Sequence, residues 1–153
     1  MSHPIFHRIV VPTDFSECAE AAWALARRMA AALGSELVLV HVLVDAPLYA
    51  DGPFNTGHTQ DVFAAARTWG ERALTERVEA ARAAGLYARS ELRTGRPHAE
   101  IVALATDANA DLIVIGTHGR EGLNRALLGS VADRVVHLAP CPVLTVRDPS
   151  GDR

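Results

Sequence analysis

Between Gly116 and Ala132 the chain reads Gly116-Thr117-His118-Gly119, nine intervening residues, then Gly129-Ser130-Val131-Ala132. Glycine permits positive φ and lets a ligand come close to the backbone. Gly129 stands just before an apolar-periodic run that begins a helix near Ser130. A helix N-terminus offers N–H donors without intrahelical acceptors and a partial positive charge, both suited to phosphate. Ser130 adds a hydroxyl for the same oxygens, and Arg120 and Arg125 sit where their charge can offset a polyphosphate. The chain contains no Lys, so a P-loop lysine and a Schiff-base lysine are excluded. Phosphate recognition would fall to backbone N–H groups and Arg. A second segment, Pro12-Thr13-Asp14, follows the first apolar run, and together the two segments would border one crevice.

The elements that must position these segments are legible in the periodicity. Ile5 to Val11 is apolar and β-branched and closes on Pro12, which predicts a buried first strand. Asp14 or Ser16 then caps a helix whose inward stripe is Ala19, Ala22, Trp23, Ala26, Met29, Ala30 and Leu33, ending at Gly34. Leu37 to Val44 reads as a central strand buried on both faces. The breakers Pro47, Gly52, Pro53, Asn55 and Gly57 predict a mobile loop over 45–59. Val62, Phe63, Ala66, Ala73, Leu74, Val78 and Ala81 mark a long amphipathic helix, with its Arg and Glu residues as a solvated face. Tyr87 to Arg93 alternates like a half-exposed edge strand. Pro97 opens a helix with Ile101, Val102 and Ala105 inward. Asp111 to Ile115 is a short buried strand, Val131, Val135 and Leu138 define a last helix, and Val143 to Val146 is a fifth strand before a flexible tail at 148–153. Five strands alternating with four helices predict an α/β protein with a single doubly wound parallel sheet and helices on both faces. In such sheets ligands bind at the carboxyl ends of the strands where strand order reverses, beside the first strand.

Composition narrows the partners. One domain suits 153 residues, a length that buries roughly two-thirds of the unfolded surface. A net charge of -3 argues against a nucleic-acid binder, which needs a basic face to release counterions. Cys18 and Cys141 form no CxxC pattern, so neither a disulfide framework nor a zinc site is supported. No apolar segment approaches the roughly 20 residues of a membrane span, which predicts a soluble, cytoplasmic protein.

Taken together, Ile9-Val10-Val11-Pro12-Thr13-Asp14-Phe15-Ser16, His41-Val42, the ordered glycine set and Cys141-Pro142-Val143-Leu144 give the chain a resemblance to the universal stress proteins, in the branch carrying a nucleotide-binding motif. The resemblance covers nearly the whole length. It implies an adenine nucleotide alpha hydrolase-like, Rossmann-type fold and binding of ATP with Mg or Mn. By position, it implies that Asp14 and the main chain at Val42 lie near adenine, and Pro12 and Gly116 near the ribose. It sets Gly119 and Gly129 to Val131 against the phosphates. Thr13, Thr117, His118, Arg120, Ser130 and Ala132 complete the expected nucleotide-binding set. Ala132 departs from the Ser or Thr of many members, removing one hydroxyl while leaving the backbone donors. The resemblance further implies a homodimer pairing Val143, Leu144, Thr145 and Val146 across a two-fold axis, consistent with an apolar strand at an open edge.

Plainer readings stand beside these. Asp14 serves equally as an N-cap with Glu17 completing a capping box, and Ser130 as a cap with Asp133 three residues on. His118 shapes the turn rather than acting as base or metal ligand, His41 is a satisfied core residue, and the cysteines are small packing residues. Trp23 and Trp69 are core-like or partly buried, and Arg27-Arg28 and the Arg residues of the long helix are surface charge. No nucleophile, acid-base pair or metal cluster stands out. The functional expectation is therefore a nucleotide-binding regulatory protein with at most slow hydrolysis. A nucleotide-independent interaction module and an enzyme acting on a small phosphorylated substrate remain as alternatives.

Overall fold

The computed structural model describes residues 5–44, 58–118 and 127–148. Within them the chain runs β1 (Arg8–Pro12), α1 (Glu17–Leu33), β2 (Glu36–Val44), α2 (His58–Ala83), β3 (Tyr87–Gly95), α3 (Pro97–Asp107), β4 (Leu112–Gly116), α4 (Ser130–Leu138) and β5 (Val143–Val146). The five strands are all parallel, in the order β3-β2-β1-β4-β5. The order reverses between β1 and β4, so the expected crevice lies at their carboxyl ends.

Two apolar layers sandwich the sheet. On one face, Ile9, Val11, Leu37 and Leu39 pack against Ala22, Trp23 and Ala26 of α1 and Leu74 and Val78 of α2. On the other, Val10, Val38, Val40, Ile113 and Ile115 pack against Ile101, Leu104 and Ala105 of α3 and Ala132 and Val135 of α4. Strands so covered need apolar residues at successive positions, and β1, β2 and β4 supply them. Gly34 closes α1 in the left-handed region, φ 72°, where its N–H donates to Ala30 O at 2.8 Å.

Several boundaries differ from the sequence reading. β1 starts at Arg8, not Ile5. The Asp111 carboxylate takes the N–H groups of His7 and Arg8 at 2.7 and 2.9 Å, and Ile5 is 80% exposed. β1, not β2, is the middle strand. β3 runs on to Gly95 because Thr94 and Gly95 pair with Leu43 and Val44. The helix expected only after Thr59 begins at His58, while the rest of the expected loop, 45–57, lies outside the described residues, as does the tail from 149 onward. In α2 the inward stripe does not start at Val62, which is 66% exposed; burial begins at Gly70 and continues through Ala73, Leu74, Val78 and Ala81.

The two sheet edges are unlike. On β3, Arg89 pairs with Glu36 at 3.2 Å and Glu91 at 2.8 Å, and Arg93 with Glu91 at 3.0 Å and Asp107 at 3.3 Å. Arg8 extends this ladder from β1 to Glu36 at 2.6 Å. Burial acts to raise the carboxyl pKa of Glu36, but hydrogen bonds and charge from Arg8 and Arg89 outweigh it and hold it below the usual glutamate value. Glu91 is lowered likewise, its burial outweighed by Arg89 and Arg93. A carboxylate depressed in the native state binds fewer protons there than when unfolded. Its stabilisation is therefore present above the unfolded pKa and lost as pH falls through the folded one. We expect the joint Glu36→Gln, Glu91→Gln variant to melt below the native chain at neutral pH. The gap should narrow as pH drops through the carboxylate range, since each partly exposed pair is worth no more than about 1 kcal/mol. A gap independent of pH in a series of thermal melts would refute this assignment.

Candidate functional site

The crevice is built by where the strands stop. β1 and β4 pair only at Ile9↔Leu112 and Val10↔Ile113, so the ladder ends short of Gly116. Pro12 has no N–H to extend it. β2 overshoots instead. Its last bond to the β1 segment is Thr13 N–H to Val40 O at 2.8 Å, and β2 continues to Val44. Alternation along a parallel strand turns the main-chain groups of Val42, like those of Val40, toward β1, here past the point where β1 has ended at Pro12. The backbone at Val42 therefore faces the crevice.

After Pro12 the chain makes a tightly bonded turn. Thr13, 7% exposed, accepts the Phe15 N–H on its Oγ1 at 2.9 Å, and Asp14 Oδ1 accepts the Ser16 N–H at 3.0 Å. Ser16, not Asp14, is the N-cap of α1, accepting from Ala19 N at 3.2 Å. The capping-box reading of Asp14 with Glu17 is thereby corrected: Asp14 precedes the cap, half-buried at the crevice. Phe15 has φ 63°, a left-handed conformation that costs a bulky L-residue about 1–2 kcal/mol. Its ring lies 4.7 Å from His41, 4.9 Å edge-on from Trp69 and 4.7 Å beneath the Arg77 guanidinium.

Across the crevice, Gly116 ends β4 without positive φ; among the described residues the positive-φ glycines are Gly34, Gly85 and Gly95.

 The reason for glycine there is contact: a Cβ would stand 2.9 Å from Cys18 Sγ and 3.0 Å from the Cys18 carbonyl carbon and oxygen. Cys18 is buried beneath the site, its Sγ 3.3 Å from Val146 O and 3.8 Å from Thr117 Oγ1. Thr117 is buried and donates its N–H to Val146 O at 2.9 Å, while its hydroxyl lies 3.0 Å from His118 Nδ1. Gly129 returns the chain to the same point, its N–H donating to Thr117 O at 2.6 Å. Its φ is an ordinary -59°, so its role too is close approach: a Cβ would lie 2.8 Å from Thr117 O. Gly119, Arg120 and Arg125 lie outside the described residues.

Two helix N-termini thus flank the crevice, and they are not equivalent. That of α1 is capped by Ser16 and carries Glu17 and Glu20 in its first turn. That of α4 has Gly129 as N-cap and no side-chain cap bond. Ser130 is therefore the first helical residue rather than the cap, and it is exposed. The N–H groups of Ser130, Val131 and Ala132 have no intrahelical acceptor by construction. Of the two termini that of α4 is the better suited to an anion, since α1 already carries the Ser16 cap and two carboxylates in its first turn. Ala132 is buried against the sheet, so only its N–H is directed to the site. Among the described residues no group of three or more His, Cys, Asp or Glu could hold a metal ion. A divalent ion here would depend on oxygens brought by the ligand.

Sequence reasoning missed the framework of the turn. His41 does more than fill the core: its Nδ1 donates to Thr13 O at 2.8 Å. Arg77 is not simply surface charge, since it joins the Phe15 ring to Glu20 at 2.7 Å. Arg27, also read as surface charge, is half-buried, with an Nε that has no hydrogen-bond partner among the described residues. The opposite signs of Glu20 and Arg77 were visible, but not their proximity, which depends on how α1 and α2 pack.

The parallel sheet, with its strand order reversing between β1 and β4, places the chain among the doubly wound α/β proteins. The Universal stress protein family matches residues 5–147, and the chain belongs to that family. It is 37% identical over 148 residues to a universal stress protein of Methanocaldococcus jannaschii, covering 97% of this chain and 86% of that one. It is also 37% identical over 144 residues to one of Thermus aquaticus, covering 94% and 100%. Among solved structures, UspA of Lactobacillus plantarum superposes with TM-score 0.81 at 27% identity, covering 92% and 97% of the two chains. A universal stress protein in complex with cAMP gives TM-score 0.63 at 28% identity, covering 94% and 98%. The Archaeoglobus fulgidus protein in complex with dAMP gives 0.63 at 26%, covering 93% and 98%.

Proposed function

We propose that the crevice binds an adenine nucleotide, ATP with Mg or Mn, and that the protein acts as a nucleotide-dependent regulator with at most slow hydrolysis. The observation that carries this reading is the uncapped N-terminus of α4, held by Gly129 against Thr117 beside the end of β4. Its donors and partial charge suit phosphate. Asp14 and the Val42 backbone suit the other end of the ligand, because a carboxylate would repel phosphate but accepts from an exocyclic amine or a hydroxyl. Pro12, Thr13 and Gly116, at the carboxyl ends of β1 and β4, are assigned to the ribose between the two. Thr117 and His118 shape the phosphate turn, with Gly119 and Arg120 following it in sequence. Relatives solved with cAMP and dAMP lend support to the nucleotide class.

The test is to denature freshly purified protein, identify released nucleotide by mass spectrometry, and titrate stripped protein with Mg-ATP by calorimetry. Stoichiometric adenine nucleotide or a saturable heat is the expected result. Absence of both, with an unchanged melting temperature, would sink the reading and leave a nucleotide-independent interaction module.

We further propose a homodimer through β5. Its outer edge is open among the described residues, Leu144 is 36% exposed, and Val136 on the neighbouring helix is 43% exposed. The other edge, β3, is lined by the Arg and Glu ladder that discourages pairing. Light scattering at micromolar concentration should give twice the chain mass; a monomer would contradict it.

A further inference from the structure

We infer that Phe15 is the positioning residue for the base half of the crevice, holding the Thr13-Asp14 turn against α2. This rests on the nucleotide reading above. Glycine would take the φ of 63° at this position without strain, yet the chain places a large aromatic there. The ring is what the position retains. It is enclosed by three groups from two other elements: His41 of β2 at 4.7 Å, and Trp69 at 4.9 Å and Arg77 at 4.7 Å of α2.

Each of these groups is itself fixed near the crevice. His41 donates to the carbonyl of Thr13 at 2.8 Å, so the ring that lies tilted at 50° against Phe15 also holds the residue before Asp14. Gly70 gives His41 its space, since a Cβ there would come within 3.2 Å of His41 Cδ2. Arg77 is anchored to Glu20 Oε1 at 2.7 Å and to Ala73 O at 2.9 Å. Asp14 therefore sits between a threonine bonded to β2 and a phenylalanine clamped by α2. Among the described residues the α4 terminus is held by a different contact, the Gly129 to Thr117 bond. The two halves of the site are thus supported separately. Loss of the Phe15 ring should release the base end and spare the phosphate end.

The measurement compares ATP with inorganic tripolyphosphate, which lacks a base, by calorimetry on the full chain at a temperature where circular dichroism shows every variant folded. Phe15→Gly relaxes the backbone and removes the ring; Phe15→Leu keeps apolar volume but loses the faces for His41 and Arg77. Either should weaken ATP at least about tenfold and leave tripolyphosphate within about twofold, while Phe15→Tyr restores ATP binding. Trp69 supplies an independent signature, since ATP should change tryptophan emission in the native chain and not in Trp69→Phe. Unchanged ATP affinity in both variants, or equal weakening of both ligands, would overturn the positioning role. A native chain that binds tripolyphosphate but not ATP would instead overturn the nucleotide reading on which it rests.

Discussion

Gly116→Ala should lower the stability of the protein by about 1–3 kcal/mol, the usual cost of forcing atoms into a filled space. The new Cβ would stand 2.9 Å from Cys18 Sγ and 3.0 Å from two backbone atoms of the same residue. The opposing effect is smaller: Gly→Ala in an ordinary strand conformation stabilises by about 0.4–1 kcal/mol through the unfolded chain. The steric term wins because the obstacle is not the far end of a flexible side chain. Cys18 is 4% exposed in the first turn of α1, its Sγ held against Val146 O and Thr117 Oγ1. For a chain of this size the loss corresponds to a fall in Tm of about 2–4 °C for each kcal/mol. Adding Cys18→Ala removes the contact with sulfur but leaves the carbonyl contact, so it should recover only part of the loss. A Gly116→Ala variant that melts at or above the native temperature would refute the contact as the reason for glycine.

How much of this was readable beforehand follows from where each constraint lives. The alternation of apolar runs gave the parallel sheet, because strands covered on both faces must be apolar throughout, as Ile9 to Val11 and Leu37 to Val40 are. Strand ends were less legible. Ile5 belongs to the apolar run but not to β1, because the Asp111 side chain, 103 residues from Arg8, takes the backbone donors where the strand begins. Gly116 was read as allowing positive φ and close approach of a ligand, and Gly129 as standing just before a helix N-terminus; the structure assigns both to close contacts within the protein, with Cys18 and with Thr117 O. Local sequence carries no sign of a neighbour that arrives from another element. Phe15 shows the same limit: its φ of 63° contradicts local preference and is intelligible only with β2 and α2 in place. The clamp and the contact glycines together make the crevice a product of tertiary packing, although each residue lining it comes from a short local motif.

Ser130→Glu should weaken nucleotide binding sharply while leaving the fold intact, and this opposition makes it the sharper probe of the phosphate end. A substitution at Gly129 would confound the two effects, because any Cβ there meets Thr117 O at 2.8 Å. Ser130 is exposed and makes no cap bond, as the N-cap is Gly129. A carboxylate in the first turn of α4 faces the positive end of the helix and should stabilise the free protein by about 0.3–1 kcal/mol. The same carboxylate would occupy the donors intended for phosphate and repel its charge. Two like charges about 4 Å apart interact by about 4 kcal/mol at an effective dielectric constant near 20, and solvent screening reduces the net cost to about 2–4 kcal/mol. Affinity for Mg-ATP should therefore fall by about thirtyfold to several hundredfold, with the melting temperature of the ligand-free protein unchanged or slightly raised. Ser130→Ala separates hydroxyl from charge: it should cost no more than about tenfold, the net worth of one ordinary hydrogen bond at an exposed hydroxyl when the backbone donors remain. Calorimetric titration and thermal melts of both variants read the two effects independently. Undiminished ATP binding by Ser130→Glu would remove the phosphates from the α4 terminus and would require another anion site for this protein.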